Sequence, residues 1–176
     1  AAVDFLGGID GLVNAAGIIA LGRLAEMSLL DWQKQIAVHM TGPFLLCRAA
    51  LPWLQQSENA TIVNIASAQA LKPAGASAGY AASKAGLLNF SKAIASELAP
   101  TIRVNCICPG IVDTPMVQRV NADAGKPSAT PTLKDYALGR MAQPEEIAAA
   151  VLYLTSNESS FVTGIAMAVD GGRTFH

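Results

Sequence analysis

The chain has 176 residues, of which 52% are hydrophobic and 14% are charged, a composition that excludes extended disorder and fits one domain over residues 1–176. Twelve basic residues stand against thirteen acidic ones without a basic cluster, so nucleic acid is not expected as a partner. No uninterrupted apolar run approaches the roughly 18 residues of a membrane-spanning helix, and a membrane is not expected as a partner either.

The first third of the chain alternates between a strand pattern and a helix pattern. Residues 9–13 end in a short apolar run before Asn14-Ala-Ala-Gly17, which predicts a buried strand that ends in a turn. Ser28 is placed to cap a helix whose apolar spacing continues to Trp53. Gly42-Pro43 should bend or loosen that helix.

The same alternation continues to the end of the chain. Residues 60–65 and 102–106 are rich in β-branched residues and predict strands, and residues 79–98 between them have helical spacing. A helix over 144–154 and a last strand over 165–169 follow. Strands separated by helices indicate an α/β fold with a parallel sheet joined by right-handed crossovers.

One segment, residues 115–143, lacks a long apolar period and is rich in Pro, Gly, Ala, Asp and Thr. Such a composition predicts a mobile loop with short helices, a natural lid over a substrate. Met116 and Tyr136 either line an apolar pocket there or serve only in packing.

The three cysteines, Cys47, Cys106 and Cys108, lie in apolar stretches. An odd number of such residues argues against a disulfide framework and fits a reducing cytosol, so a cytoplasmic location is expected. Cys106 and Cys108 lack CxxC spacing and a nearby His, which favours buried packing over the alternative of a metal site. No metal site is predicted.

Tyr80 and Lys84 stand at i and i+4 near the start of a predicted helix, and therefore on one face. A nearby ammonium favours the phenolate and should lower the Tyr80 pKa from about 10, so that the phenol can exchange a proton with a substrate oxygen. Taken alone, such a pair also occurs by chance on surface helices.

Three motifs together resemble the short-chain dehydrogenase/reductase family, and its 3-oxoacyl-acyl-carrier-protein reductase-like members in particular. Ser67 follows the strand of residues 60–65 and lies 13 residues before Tyr80 in the Tyr80-x-x-x-Lys84 pattern, while Asn14-Ala-Ala-Gly17 stands upstream. The stretches 103–114, 139–147 and 163–172 agree as well, so the resemblance covers essentially the whole chain. It implies a Rossmann-like doubly wound parallel sheet.

The resemblance also implies an activity: hydride transfer between NAD or NADP and a small-molecule alcohol or carbonyl compound. Tyr80 would be the general acid or base, Ser67 would hydrogen-bond the reacting oxygen, and Lys84 would lower the Tyr80 pKa and hold the nicotinamide ribose. Tyr80 and Lys84 thus count as cofactor-binding too. The remaining expected cofactor contacts are Asn14, Ala15, Ala16, Gly17, Pro109, Gly110, Val112 and Thr114.

The chain departs from the family pattern at His39, where an Asn of the proton relay usually stands. Two interpretations are open: His39 preserves the role through a backbone carbonyl released by a helix distortion, or it is a packed neutral His. The family's glycine-rich phosphate turn is missing as well, because no Gly-x-Gly-x-x-Gly occurs. Either the sequence is an N-terminally truncated fragment or the product starts at Ala1.

Two further expectations concern partners and activity. The helix of residues 79–98 and the helix before it carry more apolar surface than one sheet face needs, which predicts a homo-oligomer, a dimer or a tetramer. The alternative to an enzyme is a catalytically silent scaffold or regulatory subunit with the same fold. The missing phosphate turn favours that alternative, while the intact Ser67, Tyr80 and Lys84 set argues against it.

Overall fold

Four strands form one parallel sheet in the order β1-β2-β3-β4. The computed structural model describes residues 2–122 and 132–175. Within them β1 is Gly11–Asn14, β2 is Ala60–Ile65, β3 is Ile102–Pro109 and β4 is Ala166–Val169. The predicted α/β fold with a Rossmann-like parallel sheet is confirmed. Because the strands run in one direction, their carboxyl ends meet at one edge, where such sheets bind ligands.

Helices cover both faces of this sheet. Their bounds are α1 Ala2–Leu6, α2 Leu29–Ile36, α3 Gly42–Leu54, α4 Ala78–Leu98, α5 Pro115–Ala122 and α6 Pro144–Thr155. Ile62 of β2 packs in a cluster with Leu54 of α3, whereas the next residue, Val63, packs with Leu154 of α6. Successive strand side chains point to opposite faces, so both faces are buried under helices.

The predicted helix from Ser28 to Trp53 is interrupted as expected. Ser28 Oγ accepts a hydrogen bond from the Asp31 N–H and caps α2, and a π-helical turn over Ala37–Thr41 then separates α2 from α3. Pro43 has no N–H to donate to the carbonyl of His39 four residues earlier. The distortion therefore lies one turn before the Gly42-Pro43 pair that causes it.

The predicted packing role of the cysteines is confirmed. Cys47, Cys106 and Cys108 are free and buried, and the last two pack in a cluster with Leu88. Asn105, expected to be structural, donates to the Val162 carbonyl and accepts from the Ile165 N–H.

Of the two helices expected to carry surplus apolar surface, only the one before residues 79–98 exposes it. α4 exposes none of its large apolar side chains, because they face β2 and β3, whereas seven such side chains are exposed on α2 and α3. They are Leu29, Leu30, Trp32, Phe44, Leu45, Leu46 and Trp53. Among the helices of the described residues, none is both long and apolar enough to cross a membrane.

The predicted loop segment of residues 115–143 is anchored at its base. Val112 forms a parallel bridge with Ala142, and α5 and a 3₁₀ turn over Leu133–Asp135 are its short helices. Residues 123–131 of the segment lie outside the described residues. A lid role for it stays a prediction.

Candidate active site

Ser67 and Tyr80 meet at the carboxyl edge of the sheet, although 12 residues separate them in the chain. Ser67 follows β2 and its Oγ accepts a hydrogen bond from the Gln69 N–H at 3.1 Å. Tyr80 stands in the first turn of α4. Both line a cavity of about 80 Å³ together with Pro109 and Gly110 at the end of β3. The juxtaposition expected from the motif spacing is present.

Lys84 is a buried ammonium with unused hydrogen-bonding capacity. Its Nζ donates to the Ile65 carbonyl at 2.8 Å, and this is its one hydrogen bond to the described residues. Burial lowers the pKa of Lys84 to about 8, while the neighbouring thiols of Cys106 and Cys108 act in the opposite direction. An ammonium has three donors, so two remain for a ligand.

The expected lowering of the Tyr80 pKa is wrong for this chain on its own. Burial raises the pKa of Tyr80, and the hydrogen-bonding hydroxyl of Ser67 only partly offsets that effect. Lys84 Nζ lies 6.0 Å from the centre of the Tyr80 ring and donates instead to Ile65. Desolvation of a phenolate therefore outweighs the attraction of this ammonium.

His39 is fully buried and hydrogen-bonded at both ring nitrogens. The Ile18 N–H donates to Nε2 at 3.1 Å, so Nδ1 carries the proton and donates to Ser83 Oγ at 2.8 Å. Ser83 in turn donates to the Tyr80 carbonyl at 2.9 Å. Burial, followed by the charge of Lys84, lowers the pKa of His39 to about 4. The ring is a packed neutral His, and the π turn that contains His39 provides the helix distortion of the other interpretation.

The turn after β1 approaches Lys84 from the other side. Asn14 is buried and its Nδ2 donates to Asn64 Oδ1 at 2.7 Å, while its own Oδ1 has no partner among the described residues. Ala15 and Ala16 are exposed. A Cβ added at Gly17 would lie 3.7 Å from Lys84 Nζ, so the Gly17 backbone stands directly beside the ammonium.

The second expected cofactor loop, at the end of β3, is only partly open to a ligand. Pro109 and Gly110 line the cavity, whereas Val112 is engaged in its bridge and Thr114 donates to the Val112 carbonyl at 3.4 Å. A Cβ at Gly110 would lie 2.9 Å from the Asp170 backbone, so this glycine is required for packing against the end of β4.

Several cavity residues were missed by the sequence reasoning. Met116 and Tyr136 line the cavity, which confirms the first of their two interpretations. Unforeseen lining residues include Ile19, Leu21, Gln69 and Arg173. For Arg173 a signal was available, since it follows the strand of residues 165–169 and the ends of parallel strands meet at one edge. Nothing local marks Ile19 and Leu21, whose place depends on long-range contacts.

Within the described ranges, no group of three or more His, Cys, Asp or Glu residues could hold a metal ion.

Comparison with known proteins identifies the class to which this fold and site belong. Residues 1–174 match the family model described as enoyl-(acyl carrier protein) reductase. The chain is 40% identical over 172 residues to the 3-alpha-(or 20-beta)-hydroxysteroid dehydrogenase of Mycobacterium tuberculosis, covering 97% of this chain and 63% of that protein. It is 39% identical to the 3-oxoacyl-acyl-carrier-protein reductase FabG of Thermotoga maritima, covering 97% of this chain and 68% of that protein.

A solved structure agrees with these relatives. The 3-ketoacyl-(acyl-carrier-protein) reductase of Brucella melitensis, complexed with NADH, superimposes with a TM-score of 0.88 at 30% identity, covering 98% of this chain and 70% of that one. The chain therefore belongs to the short-chain dehydrogenase/reductase family of oxidoreductases, as its motifs predict. It spans about two thirds of the length of these relatives, and the expected nicotinamide cofactor is supported at the level of the family.

Proposed function

We propose that this chain carries the catalytic groups of an oxidoreductase that transfers hydride between NAD or NADP and a secondary alcohol or ketone. The observation that supports this most directly is the cavity shared by Ser67 and Tyr80 beside the buried ammonium of Lys84. The spare donors of Lys84 and the backbone of Gly17 beside it fit the hydroxyl groups of a nicotinamide ribose. Further contacts are assigned to Asn14, Ala15, Ala16, Pro109, Gly110, Val112 and Thr114.

When bound, the nicotinamide supplies or accepts the hydride with its two electrons. In reduction, the Tyr80 hydroxyl donates its proton to the carbonyl oxygen as hydride adds to the carbon, and the alcohol forms; in oxidation Tyr80 takes that proton back. Ser67 Oγ already accepts from Gln69, which leaves its own proton to donate to the same substrate oxygen. The raised pKa of Tyr80 keeps the phenol protonated, as an acid must be.

His39 is assigned a positioning role. Its ring fixes the Ile18 backbone on one side and Ser83 on the other, and Ser83 holds the carbonyl of Tyr80. If replacing His39 by Asn left turnover unchanged across pH, His39 would have no part in the proton transfer.

The decisive experiment measures binding of NAD and NADP separately to the purified 176-residue chain, then turnover of a panel of ketones. Tyr80→Phe should reduce turnover by about 10²- to 10⁴-fold, the contribution of a positioned general acid. Tyr153→Phe, the same change at an exposed tyrosine of α6, should leave turnover as it is. Cofactor binding without any turnover, equal for Tyr80→Phe and the parent chain, would favour the scaffold alternative.

A homo-oligomer, a dimer or a tetramer, and a cytoplasmic location complete the proposal. The exposed apolar side chains of α2 and α3 form a surface suited to a second copy, and three free buried thiols fit a reducing compartment. Light scattering at a monomer mass would contradict the first of these two points.

A further inference from the structure

The cavity that contains Ser67 and Tyr80 has a cation in its wall. Arg173 is only 5% exposed, yet it lines this cavity. Within the described residues its guanidinium donates one hydrogen bond, to the Lys72 carbonyl at 2.8 Å. No carboxylate of residues 2–122 or 132–175 forms an ion pair with it. A guanidinium has five N–H donors, so most donors of Arg173 make no hydrogen bond to the described residues.

The nearest acid in the sequence, Asp170, is fully used by the chain itself. Its carboxylate accepts from the N–H groups of Gly172, Arg173 and Thr174 and from the Thr174 hydroxyl at 2.6 Å. A carboxylate offers about four acceptor positions, and these four bonds occupy them. Asp170 therefore shapes the turn that carries Arg173 and is not its counter-ion.

The groups around Arg173 give this part of the cavity wall a positive charge. Lys72 Nζ donates to the Arg173 carbonyl at 3.4 Å, which places a second cation nearby. No acidic side chain of the described residues lines the cavity, and Ile19, Leu21 and Met116 give it apolar walls. A charge in such a setting is weakly screened, and a buried cation is stabilised when an anion pairs with it.

We propose that Arg173 binds an oxyanion of the substrate, so that the substrate is a short carbonyl or hydroxy compound ending in a carboxylate. The planar fork of a guanidinium suits a carboxylate, and a cavity of about 80 Å³ suits a small molecule. Its carbonyl lies at Ser67 and Tyr80 while its anionic end lies at Arg173. This inference rests on the proposed function, since it names the substrate class of that site.

The test compares oxoacids with neutral diketones of matched size, in which an acetyl group replaces the carboxylate. Three pairs cover a range of separations between the carbonyl and the carboxylate: pyruvate and butanedione, acetoacetate and 2,4-pentanedione, levulinate and 2,5-hexanedione. For at least one pair the chain should favour the acid in kcat/KM by about 10- to 100-fold, the range of a hydrogen bond to a charged group. Equal values within all three pairs would overturn the inference.

Variants then locate that preference. Arg173→Gln keeps a donor for the Lys72 carbonyl but removes the charge, so the ratio of kcat/KM for each oxoacid to that for its diketone should fall to about one. Arg173→Lys should retain part of the preference. Lys72→Met removes an adjacent cation that does not line the cavity, and it should reduce the preference far less than Arg173→Gln. If Lys72→Met and Arg173→Gln reduced the preference for acids equally, that preference would reflect the general positive charge of this region and not binding of the carboxylate by Arg173.

The outcome is separable from the proposed function. Diketone turnover that depends on Tyr80 but shows no preference for acids would retain the oxidoreductase and reject the role of Arg173. If no carbonyl compound is turned over, calorimetry with the three oxoacids decides instead. Binding of at least one that is lost in Arg173→Gln supports the inference, and an absence of binding to the parent chain rejects it.

Discussion

The relay wall and the C-terminal corner of the candidate active site differ in how their polar groups are hydrogen-bonded. The relay wall consists of His39, Ser83, Tyr80 and Lys84, and its polar groups are joined in a neutral chain of hydrogen bonds that ends beside one cation. The C-terminal corner, residues 170–174, contains a saturated carboxylate and a cation with one side-chain bond. Polar groups whose hydrogen bonds are all made within the chain hold the geometry of the site. Lys84 and Arg173, in contrast, have N–H donors left for ligands.

The relay wall and the C-terminal corner should therefore be disrupted by different changes of charge. The relay wall depends on a ring that must stay neutral, and the corner depends on a carboxylate that must stay ionised. Five predictions test this contrast, in order of decreasing effect.

Asp170→Ala should destabilise the chain most, by about 3 kcal/mol, because several backbone N–H groups lose a charged acceptor. Urea unfolding gives the free energy, and Asp10→Ala, the same change at an exposed residue, should cost less than about 0.5 kcal/mol. Similar losses for the two variants would show that the corner contributes little to stability.

The relay wall and the C-terminal corner should also lose their contributions to stability at different pH values. The folded-state pKa of His39, about 4, lies below its ordinary value of 6.5, so the unfolded chain binds the proton more tightly. Its contribution, up to about 3 kcal/mol, is complete above pH 6.5 and is lost as the pH falls towards 4. Unfolding free energies measured from pH 7 to 4 should show this decline, and His39→Asn should flatten it. An unchanged slope in that variant would be contrary evidence.

Asp170 should respond only at lower pH. Burial raises its pKa, but the hydrogen bonds from Thr174, Gly172 and Arg173 outweigh burial and bring the pKa below the ordinary value of 3.8. Its contribution is present above that value and is lost as the pH falls through the lowered folded pKa. In His39→Asn, the decline of the unfolding free energy with falling pH should therefore be confined to pH values below the ordinary pKa of Asp170.

Gly110→Ala should cost about 1–3 kcal/mol, because the added methyl group would stand 2.9 Å from backbone atoms of Asp170, which cannot move aside like a side chain. The matched control is Gly75→Ala, where nothing lies within 4 Å of the new atom. Thermal unfolding of the two variants is the measurement. No difference between them would mean that the ends of β3 and β4 can separate freely.

Ser83→Ala should have the smallest effect, about 1 kcal/mol, since it leaves the buried Nδ1–H of His39 without an acceptor. Ser96→Ala lies on the exposed side of the same helix and should be neutral. If Ser83→Ala were as neutral as Ser96→Ala in urea unfolding, the hydrogen bond to His39 would not hold the ring.

Sequence reasoning predicted the relay wall better than the corner. Tyr80 and Lys84 of the relay wall share a helix turn, so local periodicity places them on one face. Ser67, outside that wall, follows a recognisable strand. The corner joins Arg173 to Lys72 across 101 residues, a contact that no local pattern encodes. The expected charge effect on Tyr80 failed for the same reason, since burial depends on the packing of distant segments.

The amino-acid sequence alone was enough to predict the alternation of strands and helices, the parallel pairing of the strands, the interruption before Pro43 and the family. These follow from side-chain periodicity, from the missing N–H of proline and from motif spacing, which are properties of neighbouring residues. Three features required the folded structure: the neutral His39, the raised pKa of Tyr80 and the position of Arg173 in the cavity wall. Desolvation and charge pairing depend on which distant groups come together, and that is fixed when the sheet brings its strand ends to one edge.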